Sequence, residues 1–179
     1  MKNFYKILFY NLTITSTLIS ISSLSWLTAW IGLEMNLLSI MPLMKNFKNK
    51  YSAEATIKYF IIQAMASSML LFSIIIFSKS KNLNIELTLF SSMMVNSSLL
   101  LKMGAAPFHF WLPEVTTGLN WEMIFILLTW QKIAPMILLF YSIYTPMFLS
   151  IIIILSSLIS GIQGLNQICL RKIMAYSSI

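Results

Sequence analysis

Leu99-Leu100-Leu101-Lys102-Met103-Gly104-Ala105-Ala106-Pro107-Phe108-His109-Phe110-Trp111 is the stretch that decides the fold. It opens as an apolar helix, carries a lysine inside that helix, and then meets Gly104 and Pro107 before any polar joint. The surrounding run, 86–117, would reach about 48 Å as one straight helix at about 1.5 Å per residue. A hydrocarbon core of about 30 Å cannot hold that length. Pro107 removes a backbone donor and clashes one turn back. The sequence therefore predicts a broken helix, one rod over 86–106 and a short piece over 108–117. Irregular backbone at membrane depth survives only against protein or a water-filled cavity, and in transporters it marks ion sites.

The flanking sequence has the same solvent. Of 179 residues, 58% are hydrophobic and 9% charged, with a mean hydropathy of +0.82. A soluble domain carries about 25% charged residues. The chain has no Asp, and Arg171 is its only Arg. Apolar runs long enough to cross a bilayer lie at 4–22, 25–44, 54–78, 86–106, 121–143 and 146–167, with the start of another at 172–179. The joints carry Ser22-Ser23, then Lys45, Lys48 and Lys50, then Lys79, Lys81 and Asn84, then Gly118 to Asn120, and Thr145-Pro146. No stretch alternates with the period of a barrel strand. The expected fold is an all-α membrane protein, a polytopic transmembrane helix bundle with one broken helix and about six full spans. It forms a single transmembrane domain over 1–179.

The net charge of +7 is almost wholly lysine. Nucleic-acid binding needs a basic face on a polar fold, which this chain lacks. The lysines instead read as topology signals. Lys2, Lys6, Lys45, Lys48, Lys50, Lys58, Arg171 and Lys172 fall on one side; Lys79 and Lys81, with Glu86 beside them, fall on the other. That bias puts the N-terminus and the 45–58 joint on the inner side. The N-terminal lysines do not mark a signal peptide, because no small-residue cleavage site follows. The sequons at Asn11 and Asn96 fall inside spans and are not expected to carry sugar. Cys169 is the only cysteine, so no internal disulfide and no cysteine-based iron–sulfur or zinc site can form. It is expected to be a buried thiol without a role.

Three charges lie inside spans. Glu34 is central in 25–44, Lys132 is central in 121–143, and Lys102 sits just before the break. Each costs about 2.5–3.5 kcal/mol at a helix centre. They are expected to face the bundle interior and to meet partners there. Helix gluing alone is the bland account. One Glu and two Lys beside a broken helix favour a proton relay over it. An ion pair at about 4 Å in an effective dielectric of about 20 is worth about 4 kcal/mol, enough to switch a lysine between holding and releasing a proton. Which lysine pairs with Glu34 is open at this point. His109, the only histidine, is a weaker relay candidate, because a lone His near a break is more often a hydrogen-bonded structural residue. Glu114 and Glu122 are expected at an interface, solvated. Glu54 is expected at a helix N-terminus, stabilised by the dipole. The aromatic residues suit interfaces and bundle packing, with no cofactor role.

Five segments carry a resemblance. They are Trp30-Ile31-Gly32-Leu33-Glu34-Met35-Asn36; Glu54-Ala55 with Lys58-Tyr59-Phe60; Lys102 to Trp111; Thr129-Trp130-Gln131-Lys132-Ile133-Ala134-Pro135; and Gly164-Leu165-Asn166-Gln167 with Leu170-Arg171-Lys172 and Ala175 to Ile179. Together they resemble the antiporter-like membrane subunits of respiratory complex I, the proton-pumping NADH–ubiquinone oxidoreductase, along the whole chain. The resemblance implies that Glu34 is the ion-paired glutamate, Lys102 its partner lysine on the broken helix, and Lys132 the central relay lysine. It implies a multi-pass place in the mitochondrial inner membrane, beside other complex I membrane subunits and lipid. The family's chains are longer and carry a second broken-helix repeat, so this sequence is expected to be the N-terminal half of a longer subunit. Its bias toward Ile, Met, Asn, Lys, Phe and Ser fits an AT-rich mitochondrial genome, as expected of an insect or another invertebrate.

No G-x-G-x-x-G follows a strand, so no cofactor or metal is expected in this chain. The complex as a whole uses NADH, FMN, iron–sulfur clusters and ubiquinone, and the oxidoreductase label belongs to the assembly. Two other readings compete. One is a cation/proton antiporter subunit, which shares the broken helix and the buried lysine. The other is a purely structural membrane subunit.

Overall fold

The computed structural model describes residues 2–45, 49–80, 85–142 and 145–179. Lys48, Lys81 and Asn84, with the side chains of Lys2 and Glu86, lie outside the described residues. All regular structure among the described residues is helical: α1 (Lys2–Ile21), α2 (Trp26–Met44), α3 (Lys50–Ser80), α4 (Ile85–Met103), α5 (Trp111–Gly118), α6 (Trp121–Leu128), α7 (Trp130–Tyr141), α8 (Pro146–Leu165) and α9 (Leu170–Ser178).

Among the described residues, four stretches are long and apolar enough to cross a membrane: 26–44, 50–79, 121–141 and 146–165. The sequence reading expects about six. The other two expected spans, α1 and α4, are about as long but fall outside that set, because Asn, Thr, Ser and Lys dilute their apolar character. Their hydroxyls turn back on their own helices. Thr13, Ser16, Thr17 and Ser20 each donate to the backbone carbonyl three residues earlier, and Ser91, Ser92 and Ser98 do the same. Such bonds supply partners that hydrocarbon cannot.

Packing follows small residues. α1 lies along α2, and α3 runs between α2 and α4. A Cβ on Gly32 would stand 2.8 Å from Ser20 Cβ, so glycine sets the α1–α2 approach. This is the close-contact logic of small residues between membrane helices. The Trp30 indole N–H donates to the Ser67 carbonyl at 3.1 Å and ties α2 to α3. Two apolar clusters result. One gathers Ile40, Met44, Trp111, Leu112, Met123 and Leu127; the other gathers Ala29, Leu33, Leu70, Leu99, Ala134 and Leu138.

Several local expectations need correcting. The 121–143 span is not one rod, for it divides at Thr129. At the interruption the Phe125 carbonyl accepts from both the Thr129 N–H at 3.1 Å and the Thr129 hydroxyl at 2.7 Å, and Pro135, which has no N–H, removes the rung that the Gln131 carbonyl would otherwise receive. Helix α3 begins at Lys50, so Glu54 is past its first turn rather than at its N-terminus. Glu54 pairs with Lys58 at 3.0 Å, one turn on. Glu114 is exposed as expected but also holds Lys58 at 3.0 Å. Cys169 is exposed, not buried, because it lies in the turn between α8 and α9. Asn96 is fully buried; it accepts from the Ser142 hydroxyl at 2.5 Å and donates to Thr145 at 3.2 Å.

Candidate functional site: the broken helix and its lysines

α4 ends at Met103 and α5 begins at Trp111. The break is built by backbone chemistry. Gly104 adopts φ +74°, a left-handed conformation that favours glycine. The Gly104 N–H donates to the Leu101 carbonyl at 3.2 Å, and the Ala105 N–H to the Leu100 carbonyl at 3.1 Å. That pairing is the Schellman closure of a helix C-terminus. A Cβ on Gly104 would also meet Leu112 Cδ1 at 2.9 Å. Pro107, after a cis Ala106–Pro107 peptide, has no N–H with which to resume the ladder. The Phe108 N–H donates to the Ala105 carbonyl at 2.8 Å, and the chain turns into α5.

A Schellman closure satisfies two of the terminal carbonyls and leaves later ones free. The Lys102 carbonyl is one of those left free, and Gln63 takes it: the Gln63 Nε2 donates to it at 3.2 Å from the middle of α3. Both Gln63 and Lys102 are buried.

Lys102 and Lys132 line one cavity of about 20 Å³. Asn36, Gln63, Gln131 and Trp111 share its wall. The void lies at the seam of the two apolar clusters, with Leu33 on one side and Leu127 on the other. Lys102 is 7% exposed. Lys132 is half-buried and donates from Nζ to the Ser178 carbonyl on α9. Asn36 and Gln131 exchange amide hydrogen bonds of 2.8 Å and 3.1 Å, joining α2 to α7 beside Lys132.

Glu34 is half-buried on α2, and its Oε1 is buried with no hydrogen-bond partner. It lies near enough to act electrostatically on Lys102, yet no ion pair joins the two among the described residues; the pairs there are Lys58–Glu54 and Lys58–Glu114. His109 is 1% exposed; its Nε2 pairs with Gln163 Oε1 at 2.9 Å, and its Nδ1 has no partner. It does not line the lysine cavity. Glu122 is exposed in the first turn of α6. Among the described residues no group of three or more His, Cys, Asp or Glu is placed to hold a metal ion.

Charge and helix-break patterning in the sequence assign no role to Gln63, Asn36 or Gln131. A signal for them exists. An amide in hydrocarbon must find a partner, and Gln63 stands alone in the apolar run Phe60 to Met65, while Asn36 lies two residues after Glu34.

Residues 23–179 match the family described as NADH:quinone oxidoreductase/Mrp antiporter, TM. The chain is similar to NADH-ubiquinone oxidoreductase chain 2 of Anopheles gambiae, with 52% identity over 100% of this chain and 53% of that protein. It is similar to the chain 2 of Locusta migratoria at 49% identity, covering 99% of this chain and 52% of the relative. The Bos taurus chain 2 is 47% identical over 91% of this chain and 48% of its own. The sequence thus spans about half the length of the relatives it matches. In structure it resembles a chain of respiratory complex I from Thermus thermophilus with bound aureothin, with a TM-score of 0.90. That likeness covers 98% of this chain and 42% of the other at 23% identity, and it speaks to the fold alone.

Proposed function

The chain belongs to the NADH:quinone oxidoreductase/Mrp antiporter transmembrane family, and from that premise we propose that it is the N-terminal part of a core membrane subunit of respiratory complex I. In that reading the whole subunit translocates protons across the mitochondrial inner membrane, driven by electron transfer from NADH to ubiquinone. NADH, FMN, the iron–sulfur clusters and quinone chemistry belong to the assembled enzyme. This chain supplies a proton path, and its partners are the neighbouring membrane subunits and lipid.

One observation carries the proposal. Lys102 is buried at the broken end of α4 and lines a cavity that it shares with Lys132 and the amides of Asn36, Gln63 and Gln131. A buried ammonium in a membrane is expensive and marks function by default. A fixed positive charge needs no second lysine beside it, whereas a relay does. Glu34, one helix away, supplies a charge whose approach or retreat biases the proton on Lys102. His109 has a secondary part, since its free Nδ1 faces no partner. The break at Gly104 and Pro107 holds Lys102 at the end of a helix, where the backbone can adjust.

The reading has all of 1–179 as one transmembrane domain in which α1 and α4 also cross, making about six spans. At 20 and 19 residues, both match the thickness of hydrocarbon at about 1.5 Å per residue. Both pack along apolar spanning helices. Lys58 and Lys172 share one open cavity, which supports grouping the basic joints at one end of the bundle, the matrix end.

The test is Lys102→Met in the full-length subunit of the assembled complex. Assembly is expected to survive, and NADH-driven proton pumping to be lost. Unchanged pumping would overturn the relay and leave a structural subunit.

A further inference from the structure

The cavity shared by Lys102 and Lys132 has more polar groups around it than two lysines require. Asn36 is 4% exposed and Gln63 is 5% exposed. Leucine at either position would cost less to place in a membrane. The reciprocal Asn36–Gln131 bonds explain how the amides are tolerated, but not why they line a void. An amide carries two N–H donors and a carbonyl with two lone pairs. The exchange therefore leaves one N–H and one lone pair on each residue unspent. Trp111 adds a second, independent sign. Its indole N–H is buried without a partner, and the residue lines the same cavity. Buried orphan donors in native proteins call for an explanation. At about 20 Å³, the void exceeds the ~10–15 Å³ that one water needs, and a water needs two to four polar partners to stay. An apolar void of that size stays dry.

Resting on the relay reading above, we propose that Asn36, Gln131 and Trp111 are positioning residues that hold one water in the cavity between Lys102 and Lys132. The amide pair offers the water a donor and an acceptor, and the Trp111 N–H offers a further donor. None of the three titrates, so none competes for the transferred proton. Gln63 serves a different end, because its Nε2 is already given to the Lys102 carbonyl. The proton leaves one Nζ for the water oxygen as a proton on that water passes to the other Nζ, and the water is unchanged at the end.

The experiment uses the full-length subunit in the assembled complex. Asn36→Leu with Gln131→Met removes both amides together, so neither is left buried without its partner. Asn36→Gln with Gln131→Asn keeps a reciprocal pair in exchanged order. Assembly, followed on native gels, is expected in both. Pumping per NADH oxidised is expected to fall by about a hundredfold in the apolar pair, the scale of losing one positioned proton transfer. The exchanged pair should keep most of it. A map of the unchanged complex that resolves waters should show one in this cavity, within hydrogen-bonding reach of Gln131 and Trp111. Full pumping by the apolar pair, equal loss in the exchanged pair, or an empty cavity in that map overturns the inference. Lys102→Met separates the two levels. If it stops pumping while the apolar pair does not, only the water-holding role fails; if it pumps normally, the relay itself fails.

Discussion

Gln63 donates its side-chain amide to the backbone carbonyl of Lys102 at 3.2 Å, joining the middle of α3 to the end of α4. The bond is made to the backbone and not to the ammonium. It replaces the rung that would come from residue 106 if α4 continued, and so it stabilises the break itself. The bond fixes the Lys102 main chain and leaves its ammonium out of the contact.

Gln63→Leu should destabilise the bundle by about 1–3 kcal/mol, the cost of a buried carbonyl left without a partner. The loss is expected in the thermal stability of the purified complex, with Lys102 less sharply placed. A variant as stable as the unchanged protein would show that the carbonyl finds another donor.

Gly104→Ala forces a side chain into a left-handed conformation, at about 1–2 kcal/mol. It also drives a Cβ to 2.9 Å from Leu112 Cδ1 and 3.2 Å from the Trp111 ring. Assembly yield should drop below that of the unchanged subunit. Normal yield with normal pumping would mean that the break does not depend on this conformation.

Gly118 and Gly161 should respond in opposite ways to alanine. A Cβ on Gly118 would lie 2.6 Å from the Tyr51 carbonyl oxygen and 2.7 Å from Ala55 Cβ, so α5 would have to move off α3. Overpacking of that kind costs about 1–3 kcal/mol. Nothing stands within 4 Å of a Cβ on Gly161, and removing a helix glycine gains about 0.5–1 kcal/mol. Melting the two variants side by side checks the sign; equal behaviour would refute the close α3–α5 approach.

Lys102→Arg keeps the positive charge but cannot release a proton. Pumping should be impaired nearly as much as by Lys102→Met, with the complex still assembled. An Arg variant that pumps normally would make Lys102 a fixed charge and not a relay group.

The 45–50 joint should be cut by protease from the matrix side only, as the lysine bias implies. Cleavage from the intermembrane side in intact mitoplasts would reverse the orientation.

Much of this was legible in one dimension. Hydropathy and the scarcity of charge require a bilayer, and the length of 86–117 with Gly104 and Pro107 requires a break, because helix rise and proline's missing donor are local properties. The cost of buried charge singles out Glu34, Lys102 and Lys132 for the same reason: each penalty is set by the residue and its depth. Relations between helices were not legible. That Gln63 caps the carbonyl of Lys102, that Asn36 faces Gln131, and that Trp111 shares their cavity depend on which faces of α2, α3, α4 and α7 meet. Those faces are set by packing around Gly32 and the two apolar clusters, and they are distances between residues far apart in the chain. The same holds for Glu114, which meets Lys58 only because α5 packs against α3, whereas the Glu54–Lys58 pair lies one turn apart on α3 and is local. The sequence determined which groups could not face lipid; tertiary packing alone decided what they face instead.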